Sequence, residues 1–412
     1  MLHKIRMFLS FFTLILFIGT LACSGEPTVN SSSASAGAEK EGSITEMDSD
    51  ATPRIYFEAS PTMQGSVAVT GSFSMLEALM TDSRRDHVLI ALNDGRALSI
   101  GGRAKGGTRT PILLTAETWD PIADEWSRTG EMQEKREVFS GHLLEDGRVI
   151  VLGGADNRHE PLDSTEIWDP STGTWSEGPD MEKNRWRHAS VKLNDGRVLV
   201  VGGMDLRLYS EGEIFDPLTN EFTSIAKMSE GRARQAMTVM QDGRVLVTGG
   251  GSDTKPPFTA SAEVYDAEND SWASAGFMSV NRTKHTSTLL DDGRVLIVGG
   301  VTGNENGNIK RLNSAEVYNP TSNTWTKATS MSETRTGHIA IKLGDGRVLI
   351  AGGTGLNSTE IYDPTSDTWS SGPNMTEERA YFTVVELPNG DILVNGGQRA
   401  DTLSNTTEKY KD

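Results

Sequence analysis

The sequence predicts an all-β ring of seven blades, each blade a sheet of four short antiparallel strands. Three observations carry this reading. Gly-Gly pairs close apolar runs at Gly101, Gly153, Gly202, Gly249, Gly299, Gly352 and Gly396, at spacings of 52, 49, 47, 50, 53 and 44 residues. Seven residues before each pair stands a turn dipeptide: Asp94-Gly95, Asp146-Gly147, Asp195-Gly196, Asp242-Gly243, Asp292-Gly293, Asp345-Gly346 and Asn389-Gly390. After each pair comes a Glu-x-aromatic step, at Glu117-Thr118-Trp119, Glu166-Ile167-Trp168, Glu213-Ile214-Phe215, Glu263-Val264-Tyr265, Glu316-Val317-Tyr318, Glu360-Ile361-Tyr362 and Glu408-Lys409-Tyr410. A period of about fifty residues marks a repeat architecture rather than separate domains.

Each mark predicts one part of a blade, whose strands are lettered A to D. Asp-Gly and Asn-Gly accept the positive φ of a type I′ turn, so each dipeptide predicts a tight A-B hairpin. The glycine pair ends strand B and the Glu-x-aromatic step lies on strand C. In six copies a second aromatic follows one short hairpin later, at Trp126, Trp175, Phe222, Trp272, Trp325 and Trp369, and marks strand D. A lone sheet of this kind leaves an apolar face bare, so the seven pack around an axis. The last copy stops at Asp412 with no fourth strand, and the segment SVAVTGSFSM at 66–75 is available to supply it and close the ring. Residues 53–65 receive no role.

Bulk properties narrow the function classes. Glycine numbers 43 of 412 residues and is spread along the chain, which fits many turns. The formal net charge of -18 argues against generic attraction to nucleic acid. The single cysteine, Cys23, excludes an internal disulfide framework, a cysteine-based zinc site and a paired-cysteine redox centre.

Residues 1–22 carry Lys4 and Arg6, then the apolar run MFLSFFTLILFIGTLA and no acid, the layout of a secretory signal. Thr20-Leu21-Ala22-Cys23 resembles the lipobox of bacterial lipoproteins, with Thr20 where leucine is commoner. The resemblance implies lipidation of Cys23 and a protein secreted across the inner membrane and held there, in the periplasm or at the cell surface. The alternative is an uncleaved membrane span, for which the run is at the short limit. Residues 23–52, rich in Ser, Ala, Gly and Glu, are expected to form a flexible tether, leaving 53–412 for the propeller.

The glycine pair and the strand-C aromatic in seven copies, with the strand-D aromatic in six of them, over about residues 75–412, resemble the Kelch family of β-propellers. Two secreted enzyme groups share that architecture, galactose-oxidase-like copper oxidases and sialic acid mutarotases. The resemblance to the oxidases implies a tyrosine cross-linked to a cysteine, which a chain whose one cysteine is the anchor does not have. The mutarotases resemble a six-bladed ring; a sugar mutarotase-like, carbohydrate-active protein is the alternative to a binding module.

Function is expected on the face that carries the B-C loops. These vary in length while the A-B and C-D turns do not, and variable loops on a rigid frame commonly hold binding residues. An arginine recurs four residues after a methionine at the start of strand A: Arg84, Arg136, Arg185, Arg232, Arg282, Arg335 and Arg379. One reading is a cationic ring at the channel mouth, the ligand-binding set for an acidic, carbohydrate or protein partner. It resembles the Kelch domain of the oxidative-stress ubiquitin-ligase adaptor, where arginines at the matching place hold acidic peptide side chains. The other is bracing, each arginine paired with an acid such as Glu134, Glu230, Glu333 or Glu378. Three residues further on stand His87, His188, His285 and His338, a candidate metal set in the channel weighed against packed histidines. No cofactor is implied.

Overall fold

Strand B is the apolar spine of every blade. In the computed structural model, which describes residues 71–105, 111–253 and 256–411, strands such as Val198–Val201 (VLVV) and Val295–Val298 (VLIV) are buried at every position. Continuous burial demands apolar side chains on both faces, so these strands read as unbroken runs instead of alternating ones. Flanking strands complete seven four-stranded antiparallel sheets with the order A-B-C-D, as in blade three: Ala189–Lys192, Val198–Val201, Gly212–Asp216 and Glu221–Ser224. The signal segment, Cys23, the tether and residues 53–70 lie outside the described residues. Among the described residues no helix is long and apolar enough to cross a membrane.

The cores lie between blades. Leu199, Val201 and Ile214 of blade three meet Val245, Val247 and Tyr265 of blade four, and Leu246 and Val264 meet Val295, Ile297 and Tyr318 of blade five. The last blade is completed from the other end of the chain, where Ser72–Met75 pairs antiparallel with Thr407–Lys411. Phe73 stands opposite Tyr410 with ring centroids 5.0 Å apart, the relation that Trp272 has to Tyr265 at 4.9 Å. Phe73 is thus the seventh strand-D aromatic, and the closing strand lies at the C-terminal end of the segment expected to supply it.

The A-B hairpins are tight but their turn type differs from the sequence expectation. Only the glycine takes a positive φ, 88° at Gly95, while the preceding Asp94 does not. The Gly95 N–H donates to Leu92 and the Leu92 N–H to Arg96, which makes a three-residue loop with glycine at its left-handed position rather than a type I′ turn. The aspartate instead anchors the loop with its side chain, accepting from the Arg96 amide at 3.1 Å and from its Nε at 2.8 Å.

The glycine pair is the joint between blades. The second glycine donates its N–H to the carbonyl of the next blade's strand-A arginine, as from Gly203 to Arg232 at 2.8 Å, and from Gly397 of blade seven back to Arg84 of blade one at 2.7 Å. A Cβ on Gly202 would stand 2.5 Å from that Arg232 oxygen, so the close approach requires glycine.

Candidate functional site

The seven arginines Arg84, Arg136, Arg185, Arg232, Arg282, Arg335 and Arg379 do not ring the mouth. Each is fully buried at 0% exposure, and each closes the joint just described. In blade three, Arg185 Nη1 donates to the Gly202 carbonyl at 2.8 Å and to Glu211 at 3.1 Å, while Nη2 meets Glu213 Oε1 at 2.7 Å. Every copy repeats the bond to the first glycine and the ion pair to the glutamate that opens the Glu-x-aromatic step. The other oxygen of that glutamate accepts the amide that follows the buried methionine, Glu182 N–H in blade three at 2.6 Å. The ligand-binding reading of these seven is therefore corrected: a guanidinium without solvent contact, with its Nη groups committed to carbonyls and a carboxylate, is a brace. Of the acids expected as partners, Glu134, Glu230 and Glu333 add a second ion pair to their arginines; Arg379 uses Glu377 instead of Glu378.

The four histidines do not converge either. Each reaches sideways to the preceding blade: His87 Nε2 lies 2.9 Å from Asn395 Oδ1, His188 Nε2 2.8 Å from Ser140 Oγ, His285 Nε2 2.8 Å from Thr248 Oγ1 and His338 Nε2 3.2 Å from Thr286 Oγ1. Burial and then the adjacent strand-A arginine push His87, His188 and His338 down to about 3, and His285 well below its ordinary value. Among the described residues no group of three or more His, Cys, Asp or Glu is placed to hold a metal ion.

The residues that do face the axis stand two positions after each arginine. They are Asp86, Val138, Arg187, Arg234, Lys284, Gly337 and Tyr381, and all seven have positive φ, between 50° and 66°. The conformation turns each one out of its blade to bond its neighbour through the main chain. Val138 N–H donates to Asp86, Arg187 to Val138, Arg234 to Arg187, Lys284 to Arg234, Tyr381 to Gly337 and Asp86 to Tyr381, at 2.8 to 3.3 Å. Left-handed φ in six non-glycine residues is costly and clusters at functional sites.

This ring gathers cations. Arg187 lies 3.7 Å over the Trp186 ring, and its Nη1 meets the Met204 sulfur at 4.0 Å. Lys284 Nζ stands 3.3 Å from the Tyr381 hydroxyl. Among the described residues Arg187, Arg234 and Lys284 form no ion pair. Burial, followed by the neighbouring Arg234, brings Arg187 down to about 10 and Lys284 to about 8; burial likewise lowers Arg234. The acids nearby are engaged: Asp86 Oδ2 lies 3.6 Å from Arg85 Nε, and buried Glu137 holds Arg103 through both oxygens and His159 Nδ1 at 3.0 Å. Burial raises the Asp86 carboxyl. Arg311, on a hairpin strand (Ile309–Arg311) inserted in the B-C connection of blade five, reaches across to the Thr354 carbonyl at 3.2 Å. The mouth thus draws Arg85, Arg103, Arg187, Arg234, Lys284 and Arg311 against Asp86 and Glu137, an electropositive spot on an acidic protein.

No single residue type runs through the ring positions, so no motif exposes them. Their one signal is the constant step from the recurring arginine.

Comparison with known proteins agrees with this architecture. The family described as the Attractin/LZTR1 β-propeller matches residues 149–361, a Kelch-type propeller. Among solved structures, a fungal alcohol oxidase of the AA5 family in complex with copper superposes with a TM-score of 0.65 at 17% identity, over 83% of this chain and 76% of that one. That identity speaks for the fold alone. The comparison with curated proteins found no match.

Proposed function

The chain belongs to the Attractin/LZTR1 β-propeller family, and we propose that it is an extracytoplasmic binding module, tethered through a lipid on Cys23, that receives an anionic ligand at the axial mouth of its loop face. The observation that carries the ligand class is the trio Arg187, Arg234 and Lys284, turned to the axis by left-handed φ and without an ion pair among the described residues. Cations partly withdrawn from water and lacking a carboxylate are costly unless something anionic completes them. The tether reading is supported by the sequence alone, by the charged and apolar leader and the small residue before Cys23.

Both halves are tested on one set of variants made in the full chain. Arg187→Ala/Arg234→Ala/Lys284→Ala should lose retention on an array of carboxylated, phosphorylated and sulfated glycans while melting like the parent, because these side chains brace no strand. Cys23→Ser should keep array binding yet fail to incorporate labelled fatty acid. Equal retention by the triple variant sinks the ligand reading, and lipid labelling of Cys23→Ser sinks the tether.

A further inference from the structure

Resting on the reading of the mouth as an anion site, we infer that its ligand is a compact oxyanion carrying two or more negative charges, a phosphate ester or a di- or tricarboxylate, in preference to a lone carboxylate. The three cations occupy the same position in three consecutive blades, and single backbone hydrogen bonds link them, Arg234 N to Arg187 O at 2.8 Å and Lys284 N to Arg234 O at 3.3 Å. Their side chains therefore spring from adjacent points of one narrow ring and repel one another: Arg234 is the leading charge acting against protonation of both Arg187 and Lys284. The two acids at the mouth offset only part of this: Asp86 favours the charged forms of all three cations and Glu137 those of Arg187 and Arg234, but Asp86 also sits against Arg85 and Glu137 is held by Arg103 and His159. A monovalent carboxylate would neutralise one cation and leave the others opposed in a poorly solvated place. An oxyanion with two or three charges meets all three, with flat guanidinium forks on two sides and the ammonium on the third.

The ligand must also be small at this level. Tyr381 covers the one ring position that has no side chain, its Cε1 lying 3.2 Å from where a Gly337 Cβ would be, and Trp186 is occupied by Arg187.

Lys284 supplies a readout that simple charge screening does not. It faces Arg85, Asp86, Arg187 and Arg234 from the strand-A starts of blades one, three and four, and Tyr381 from blade seven. With its proton half lost near pH 8, an anion bound against it restores the proton.

The test is titration calorimetry of the full chain at fixed ionic strength with acetate, inorganic phosphate and citrate, run at pH 8 in two buffers of different ionisation enthalpy. Phosphate or citrate should bind at least tenfold more tightly than acetate, with uptake of up to about half a proton, and Lys284→Met should abolish that uptake. Acetate binding as tightly as citrate and phosphate, with all three lost in Arg187→Ala/Arg234→Ala, overturns the multivalent ligand but leaves an anion site. Binding of none of them, or binding untouched by that double variant, overturns both.

Discussion

Arg185→Met should cost about 3–5 kcal/mol of unfolding free energy, the range for removing one partner of a buried ion pair. The substitution keeps the volume but strands the Glu213 carboxylate, 1% exposed, and leaves the Gly202 and Glu211 carbonyls without that donor. For a domain of this size the thermal midpoint should fall by roughly 4–7 °C. Arg185→Met/Glu213→Leu should recover much of the loss, since an apolar pair in place of a buried ion pair is often neutral. Differential scanning calorimetry on the two variants decides this. A single variant that melts within a degree or two of the parent would remove the brace from the account of the fold.

Acid should unfold the propeller well above the pH at which exposed carboxylates titrate. His87, His188 and His338 are held near 3 and His285 lower still, against 6.5 in an unfolded chain. Below pH 6.5 the unfolded state binds protons that the folded state refuses, so stability is full above that value and falls as pH drops toward 3. Each histidine contributes about 1.4 kcal/mol per pH unit over that window, so four together make a steep loss by pH 5. Blade four shows what would relieve it: Gln235 holds the equivalent place and donates to the Val201 carbonyl at 2.9 Å. Replacing His188, His285 and His338 by Gln should flatten the melting temperature between pH 7 and pH 5. A parent protein whose melting temperature does not change across that range would show that these imidazoles are not held neutral.

What the sequence displayed and what it hid follow from how each feature is encoded. Gly202, Asp195-Gly196 and the Phe215–Phe222 pair serve the same local geometry in every blade, so the same residue types recur at the same steps and the blades could be counted. Even the missing aromatic was in view, as Phe73 at the far end of the chain. The partner of each arginine was harder. Acids within a few residues, such as Glu230, are visible, but the buried partner of Arg232 is Glu263, 31 residues on, brought alongside by the antiparallel pairing of strands B and C. The ring at the mouth was hidden for a different reason. Its bonds use backbone atoms only, which any residue brings, so Asp86, Val138 and Tyr381 perform one structural task with unrelated side chains.

That main-chain stitching also separates what must be kept from what is free to change. The hydrogen bonds that fasten one blade to the next at the axis are indifferent to side-chain identity, and the arginine braces lie two residues away and out of contact with solvent. Seven positions thus project from a common collar like the letters of a combination lock, each resettable while its neighbours stay fixed. A library that varies Val138, Arg187, Arg234, Lys284 and Tyr381 together, with the braces and glycine pairs untouched, would sample ligand preference on an unchanged frame.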